Sequence, residues 1–463
     1  MIRLALPTGD LRRDTAALLD AAGLGIEGYA AGSRALRFEM PDAGVARVFR
    51  EKDIPAQVAL GNYDAGICGL AWAEELAQRY PGLEVVRLRD LGYARSGLWL
   101  AVAGDTCEPS VRIVSEYGNI ADTLARRMRL PRYRIFSLWG AAAAYPPEDA
   151  DLAIVPATDA AGVEAQGLRP VCEVLASSAW LIANRRSLAQ KDLSLLLSRL
   201  LDGRVPAPPS APALVAPPAL GLRAAERPPR TRLRLALPDG HAQSHTVAAL
   251  EMAGLQVDGY GKEDLVRRPR IAFDAVEVKV IRPQDMPQQV AIGNFDLAVT
   301  GRDVLFDHKI QFPSSPVEEV VDLGRSRYGL AAIVKDVPAD GVAGAVRWWR
   351  AQGRATIRVA SEFPNIADHF ARERHFGRYS VVPIAGASEG FVPDDAEILI
   401  EGIETGSSVR ANKLTVLERF FESTNCVIAN RRRPEGALRA TFDALVERLR
   451  AGALVPAGAA TEG

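Results

Sequence analysis

Between Ile398 and Asn412 the chain reads ILIEGIETGSSVRAN, and its acids and hydroxyls are spaced to hold a phosphorylated sugar. Glu401 and Glu404 lie three residues apart, and Thr405, Ser407 and Ser408 follow directly. Hydroxyls and converging backbone N–H groups in a tight turn are neutral donors for a phosphate. Carboxylates beside them accept hydrogen bonds from ribose hydroxyls or meet a hydrated Mg²⁺. Gly402 and Gly406 allow positive φ or a close backbone approach. A buried strand at Ile398-Leu399-Ile400 must position this turn. A helix capped by Ser407 or Ser408 is expected to follow, running through Leu414, Val416, Leu417 and Phe420. The same letters also fit an ordinary loop before a capped helix, with no ligand at all.

The surrounding pattern occurs twice. RLALP at Arg3–Pro7 returns at Arg234–Pro238, and Asp53-Ile54-Pro55 returns as Asp285-Met286-Pro287. Gly61-Asn62-Tyr63-Asp64 returns as Gly293-Asn294-Phe295-Asp296, and Ser115-Glu116-Tyr117 as Ser361-Glu362-Phe363. Ile182-Ala183-Asn184-Arg185-Arg186 returns as Ile428-Ala429-Asn430-Arg431-Arg432. So many matches in one order mean two duplicated domains, not a solenoid. Copy one spans 1–202, with lobes at about 1–94 plus 178–202 and about 95–177. Copy two spans 231–450, with lobes at about 231–326 plus 424–450 and about 327–423. Residues 203–230, rich in Pro and Ala, read as an extended tether, and 451–463 as a frayed tail.

Composition sets outer bounds. With 56 Lys and Arg against 57 Asp and Glu, the net charge of −1 offers no global field for nucleic acid. Cys68, Cys107, Cys172 and Cys426 show no paired spacing and read as small buried residues. No long apolar run or leader is seen, so a cytoplasmic protein without membrane contact is expected. His241 and His245 are spaced i,i+4, but no third ligand is near in sequence, so a surface helix start is expected over a metal site. Trp348-Trp349 is expected to pack on a neighbouring lobe, and Arg185-Arg186 and Arg431 to Arg433 to be exposed strand ends.

Strand and helix alternate through copy two. Strands are predicted at 232–237, 275–281, 297–300, 329–334, 356–360, 380–384 and 426–430. Helices are predicted at 244–253, 286–292, 342–352, 366–375 and 434–449. Two α/β lobes per copy follow, with the last strand and helix returning to the first lobe and a ligand cleft between the lobes.

These residues resemble the catalytic region of the ATP phosphoribosyltransferase family, the first enzyme of histidine biosynthesis. The resemblance covers nearly all of each copy. It is carried in copy two by Arg282 to Asp285, Asp296 to Asp303, Asp322 to Gly324, Gly386 to Glu389, and Glu401 to Asn412. It implies two tandem periplasmic-binding-protein-like units, each lobe a mixed sheet flanked by helices. It also implies transfer of phosphoribosyl from phosphoribosyl diphosphate to N1 of ATP, with pyrophosphate released. Mg²⁺ would be the cofactor, held mainly by substrate and not by direct side-chain ligation. The resemblance puts phosphoribosyl diphosphate on Glu401, Gly402, Glu404, Thr405, Gly406, Ser407 and Ser408. It puts the nucleotide on Asp239, Gly240, Arg282, Thr300, Gly301, Arg302, Arg327 and Glu389. Glu401, Glu404 and Arg302 are the implied catalytic residues. The copies would form an internal pseudo-dimer, with a higher homo-oligomer also open.

Two departures shape the expectation. In copy one, Val155 stands for Glu401, Asp159 for Thr405, Ala160 for Gly406, Gly162 for Ser408 and Ala143 for Glu389. A carboxylate where a phosphate belongs costs binding, so one live site, in copy two, is expected. In both copies the family's basic first loop, of Lys-Gly-Arg-Leu type, is replaced, here by Thr8-Gly9-Asp10-Leu11 and Asp239-Gly240-His241-Ala242. Arg267, Arg268, Arg270, Arg302, Arg325 and Arg327 are the arginines that would compensate. The acceptor base therefore stays open, as does a non-catalytic, ligand-binding paralogue.

Overall fold

The computed structural model describes residues 2–30, 33, 35–40, 44–201, 212–218, 220–226, 229–261 and 265–453. The tail beyond 453 and the first part of the tether lie outside them.

Each copy folds into two sheets. In the first lobe of copy two, strands Val276–Ile281, Leu233–Pro238 and Leu297–Gly301 run parallel, and Asn425–Asn430 and Val317–Asp322 complete the sheet. The second lobe orders its strands Tyr379–Pro383, Ile357–Ser361, Ile398–Ile403, Tyr328–Val334 and Thr415–Ser423. Copy one repeats both sheets and adds an edge strand, Arg37–Met40, to its first lobe. The central strands are apolar along their whole length because both faces are covered. Leu297 to Val299 and Ile398 to Ile400 are all fully buried.

Several elements of copy two differ from the sequence reading, among them strand Val317–Asp322, which it does not predict. The helix after Ser407 is a single turn, Ser407–Ala411, and Thr415–Ser423 is a nine-residue strand paired with Tyr328–Val334. The i,i+3 spacing of Leu417 and Phe420 imitated a helix, but register shifts at Leu330/Ala331 and Ala332/Ile333 carry the odd phase in a strand. Helix Arg302–Gln311 was not foreseen, its sequence being too polar to show a buried face. The described part of the tether is docked. Leu214 is buried in the second lobe of copy one, and Arg223–Ala224 pairs with Thr106–Cys107.

The copies pack about a pseudo-twofold axis. One core joins Ala142, Tyr145, Val155 and Val163 of copy one to Ile281, Met286, Phe295 and Ile428 of copy two. Another joins Phe49, Ile54, Tyr63 and Ile182 of copy one to Ile333, Phe391, Leu399 and Leu414 of copy two. The first lobe of each copy thus meets the second lobe of the other, as in an isologous dimer. Burying each Val, Leu, Ile, Phe or Met side chain of these cores stabilises by about 1.5–3 kcal/mol.

Polar contacts repeat the same symmetry. Arg3 bonds Asp395 at 2.9 Å, and its counterpart Arg234 bonds Asp149 at 2.8 Å. Arg47 meets Asp394, and its counterpart Lys279 meets Glu148 at 2.8 Å. Trp349 packs into its own lobe, correcting the expectation of an inter-lobe contact. Arg433 is folded back on Glu318 and Phe442, whereas Arg431 stays exposed.

Candidate functional site

A cleft of about 380 Å³ opens between the lobes of copy two. Asp239, Gly240 and Arg282 line it from the first lobe, and Glu362, Glu401, Gly402 and Glu404 from the second. Glu401 stands on strand Ile398–Ile403. Its Oε1 accepts the Gly402 N–H at 3.0 Å, while its buried Oε2 has no hydrogen-bond partner among the described residues. Burial and the neighbouring Glu362 carboxylate push Glu401 up to about 8. Glu362 is itself raised by burial, against the opposing pull of Arg50 and Lys52 from copy one. Asp303, also on the lining, is buried and held by Ser423 at 2.7 Å and Tyr328 at 2.6 Å.

The turn after Glu401 is exposed, and its Thr405 hydroxyl donates to Ser407 Oγ at 3.2 Å and accepts the Ser407 N–H at 3.4 Å. Thr405, Ser407 and Ser408 are exposed, and Gly406 takes φ +68°, a left-handed conformation that glycine adopts without cost. Gly406, not a serine, is the N-cap residue of the short helix. In copy one the same turn is filled from within. Asp159 accepts the Gly162 N–H at 2.8 Å, and Val155 is core. The backbone donor that would meet a phosphate is satisfied there by an anion of the chain.

The nucleotide-side residues divide. Asp239 is buried between Arg267 at 2.7 Å and Arg282 at 3.2 Å. Arg282 keeps a buried Nε without a hydrogen-bond partner among the described residues. Thr300 is fully buried and donates to the Pro283 carbonyl at 3.1 Å. Arg302 turns to Glu319 and Asp322 and does not line the cleft, although Gly301 and Asp303 on either side of it do. Arg327 is exposed at the outer rim, paired with Glu422 at 2.6 Å. Glu389 lies near enough to Glu401 and Glu362 to raise both. Of the compensating arginines, Arg268 is drawn to Glu148 of copy one at 2.8 Å.

Residues 50–202 and 282–451 match the HisG ATP phosphoribosyltransferase family. The chain belongs to that family. Its match in two segments follows the tandem duplication read from the repeats. An ATP phosphoribosyltransferase of Chlorobium chlorochromatii (strain CaD3) is 32% identical over 201 residues, covering 43% of this chain and 64% of its own length. One from Moorella thermoacetica is 31% identical over 216 residues, covering 43% of this chain and 84% of its own length. The chain therefore spans less than two thirds of the Chlorobium relative. Among solved structures, the ATP phosphoribosyl transferase (HisG:HisZ) complex from Thermotoga maritima is 17% identical at a TM-score of 0.38, over 48% of this chain and 98% of that one. An ancestral amino-acid-binding protein, AncCDT-1, is 14% identical at a TM-score of 0.30, over 48% and 90%. Among the described residues, no helix is long and apolar enough to cross a membrane.

The sequence reading passed over Glu362, Tyr328 and the copy-one cations Arg50 and Lys52. Glu362 left a signal, since Glu116 repeats it in copy one. Arg50 and Lys52 left none, because their role depends on how the copies pack.

Proposed function

We propose that the chain is a single-site phosphoribosyltransferase of the HisG type. Copy two, 231–450, would carry the site and copy one, 1–202, would complete it as an internal pseudo-dimer. The buried Oε2 of Glu401, without a partner among the described residues, and the exposed Thr405–Ser408 turn that follows the cleft-lining Glu404 carry this reading. N1 of ATP would form a bond to the anomeric carbon as the bond to pyrophosphate breaks. A neutral ring nitrogen needs no strong base, so positioning and electrostatics do the work. Thr405, Ser407 and Ser408 hold the 5′-phosphate, and Glu401 and Glu404 hold the ribose hydroxyls and face the positive charge that builds on the sugar. Arg282 faces the diphosphate, while Arg302 is left out because Glu319 and Asp322 engage it. Mg²⁺ arriving with the diphosphate would be held mainly by substrate, with the unsatisfied oxygen of Glu401 facing it, and would offset the charge of the leaving group.

A second reading rests on Asp239, which engages Arg267 and Arg282 where the family supplies cations. It favours another acceptor base or a non-catalytic, ligand-binding paralogue. Pyrophosphate release from phosphoribosyl diphosphate with Mg²⁺, across a panel of purine acceptors that includes ATP, separates these readings. Release with ATP supports the first, release with another purine moves the acceptor, and no release with any acceptor leaves the paralogue.

A further inference from the structure

His241 and His245 open the helix His241–Met252 of the first lobe, one turn apart on one face. Their rings lie 5.6 Å apart. Glu404, on the turn of the opposite lobe, brings Oε2 to 3.5 Å from His241 Nε2. One ligand atom from each of the three lies within 4.8 Å of the others. Two imidazoles and a carboxylate are the donor set of zinc-type sites, and the spacing sequence alone left at two ligands acquires its third through the fold.

We propose that His241, His245 and Glu404 bind one transition-metal dication, of the Zn²⁺ class, across the mouth of the copy-two cleft. Imidazole donors select such an ion over Mg²⁺, which prefers oxygen. Two of the three side chains are well exposed, at 67% for His241 and 48% for Glu404, so they can rotate in to the roughly 2.0–2.2 Å that coordination requires. Three protein ligands leave a fourth position for water or a ligand oxygen. Copy one provides the internal control. Its equivalents are Asp10, Asp14 and Thr158, with no imidazole among them. The set occurs only in the copy whose turn is open. Because its ligands come from both lobes, the bound ion ties the Glu404 turn to the first-lobe helix across the cleft mouth.

Co²⁺ added to the metal-free full chain, without substrate or Mg²⁺, tests this. Visible d–d bands of a four-coordinate ion should saturate at one Co²⁺ per chain and be displaced by Zn²⁺. His241→Ala and His245→Ala should each weaken binding by about 100-fold or more. Glu404→Gln should weaken it and abolish the rise in unfolding temperature that Zn²⁺ gives the unaltered chain. Thermal unfolding of the metal-free variants confirms that each is folded. Absent bands, or unchanged binding in the double histidine variant, would overturn the site. The readout is independent of transferase activity, so this inference and the proposed function fail separately.

Discussion

The carboxylate of Asp53 in copy one accepts the backbone N–H of Ala385 in copy two at 2.9 Å. Its counterpart Asp285 accepts the N–H of Trp139 with both oxygens at 3.1 Å. Each copy thus steadies the loop that leads into the other's second-lobe turn. Ala385 adjoins Gly386, where a Cβ would stand 2.8 Å from Arg50 Nε.

Burial of Asp53 makes stability depend on pH, with the Ala385 hydrogen bond opposing the shift. Burial pushes Asp53 up to about 7, against Lys52 and Arg50 and with help from Glu362. The folded chain then keeps a proton that the unfolded chain releases at lower pH. Its contribution is most favourable in acid and is lost as pH rises from the ordinary carboxylate range to about 7. Asp53→Asn keeps an acceptor oxygen but cannot ionise. Urea unfolding from about pH 5 to about pH 8 should show a shallower loss of stability in the variant. Parallel curves for the two proteins would contradict the assignment.

Ligand binding should release a proton. Burial and Glu362 push Glu401 up to about 8, and a cation arriving with the sugar phosphate favours its charged form. Calorimetry near pH 7, in buffers of different ionisation enthalpy, should show one phosphoribosyl diphosphate site per chain with proton release. Glu401→Gln should lose the release and lower turnover by about 100-fold or more, with the fold intact. Two equivalent sites would restore copy one as a binder.

Copy-one cations should matter to copy-two chemistry. Arg50 and Lys52 act on Glu362 across the inter-copy contact, and Lys52 also sits 4.1 Å over the Trp139 ring. Arg50→Ala with Lys52→Ala should lower kcat/KM by about tenfold, or about 1.4 kcal/mol, in Mg²⁺-dependent turnover. Unchanged kinetics would confine copy one to a scaffold role.

The inter-copy bonds can be graded. Tyr63 donates to the fully buried Asp395 at 2.7 Å, whereas Phe295 at the equivalent place makes no such bond. Tyr63→Phe should therefore pack well and cost about 1–3 kcal/mol. Arg3→Ala should cost more, about 3–5 kcal/mol, because Asp395 loses its guanidinium partner while still buried. Denaturant unfolding of the two variants checks the order, and a reversed order would mean that the Arg3 pair adds little.

Much of this was legible in the sequence because the repeat is its own alignment. The Asp159 substitution marked the retired turn before its bond to Gly162 was visible, and Ile398–Ile400 announced its strand by composition. What escaped depends on long-range packing. Thr415–Ser423 gave a helical spacing because bulges shift the alternation of a strand. Arg302 sits inside a family motif, yet its direction is set by Glu319 and Asp322 on a strand that sequence proximity does not show. Glu404 meets His241 only after two lobes close on one another.

The reciprocal packing of the two copies carries one further consequence. In a dimer of identical chains, every substitution lands on both sides of the axis at once. Here each contact is encoded twice and can be edited singly, as Arg47 against Lys279 and Tyr63 against Phe295 already record. The fusion frees one half of the interface to drift while the other keeps the grip.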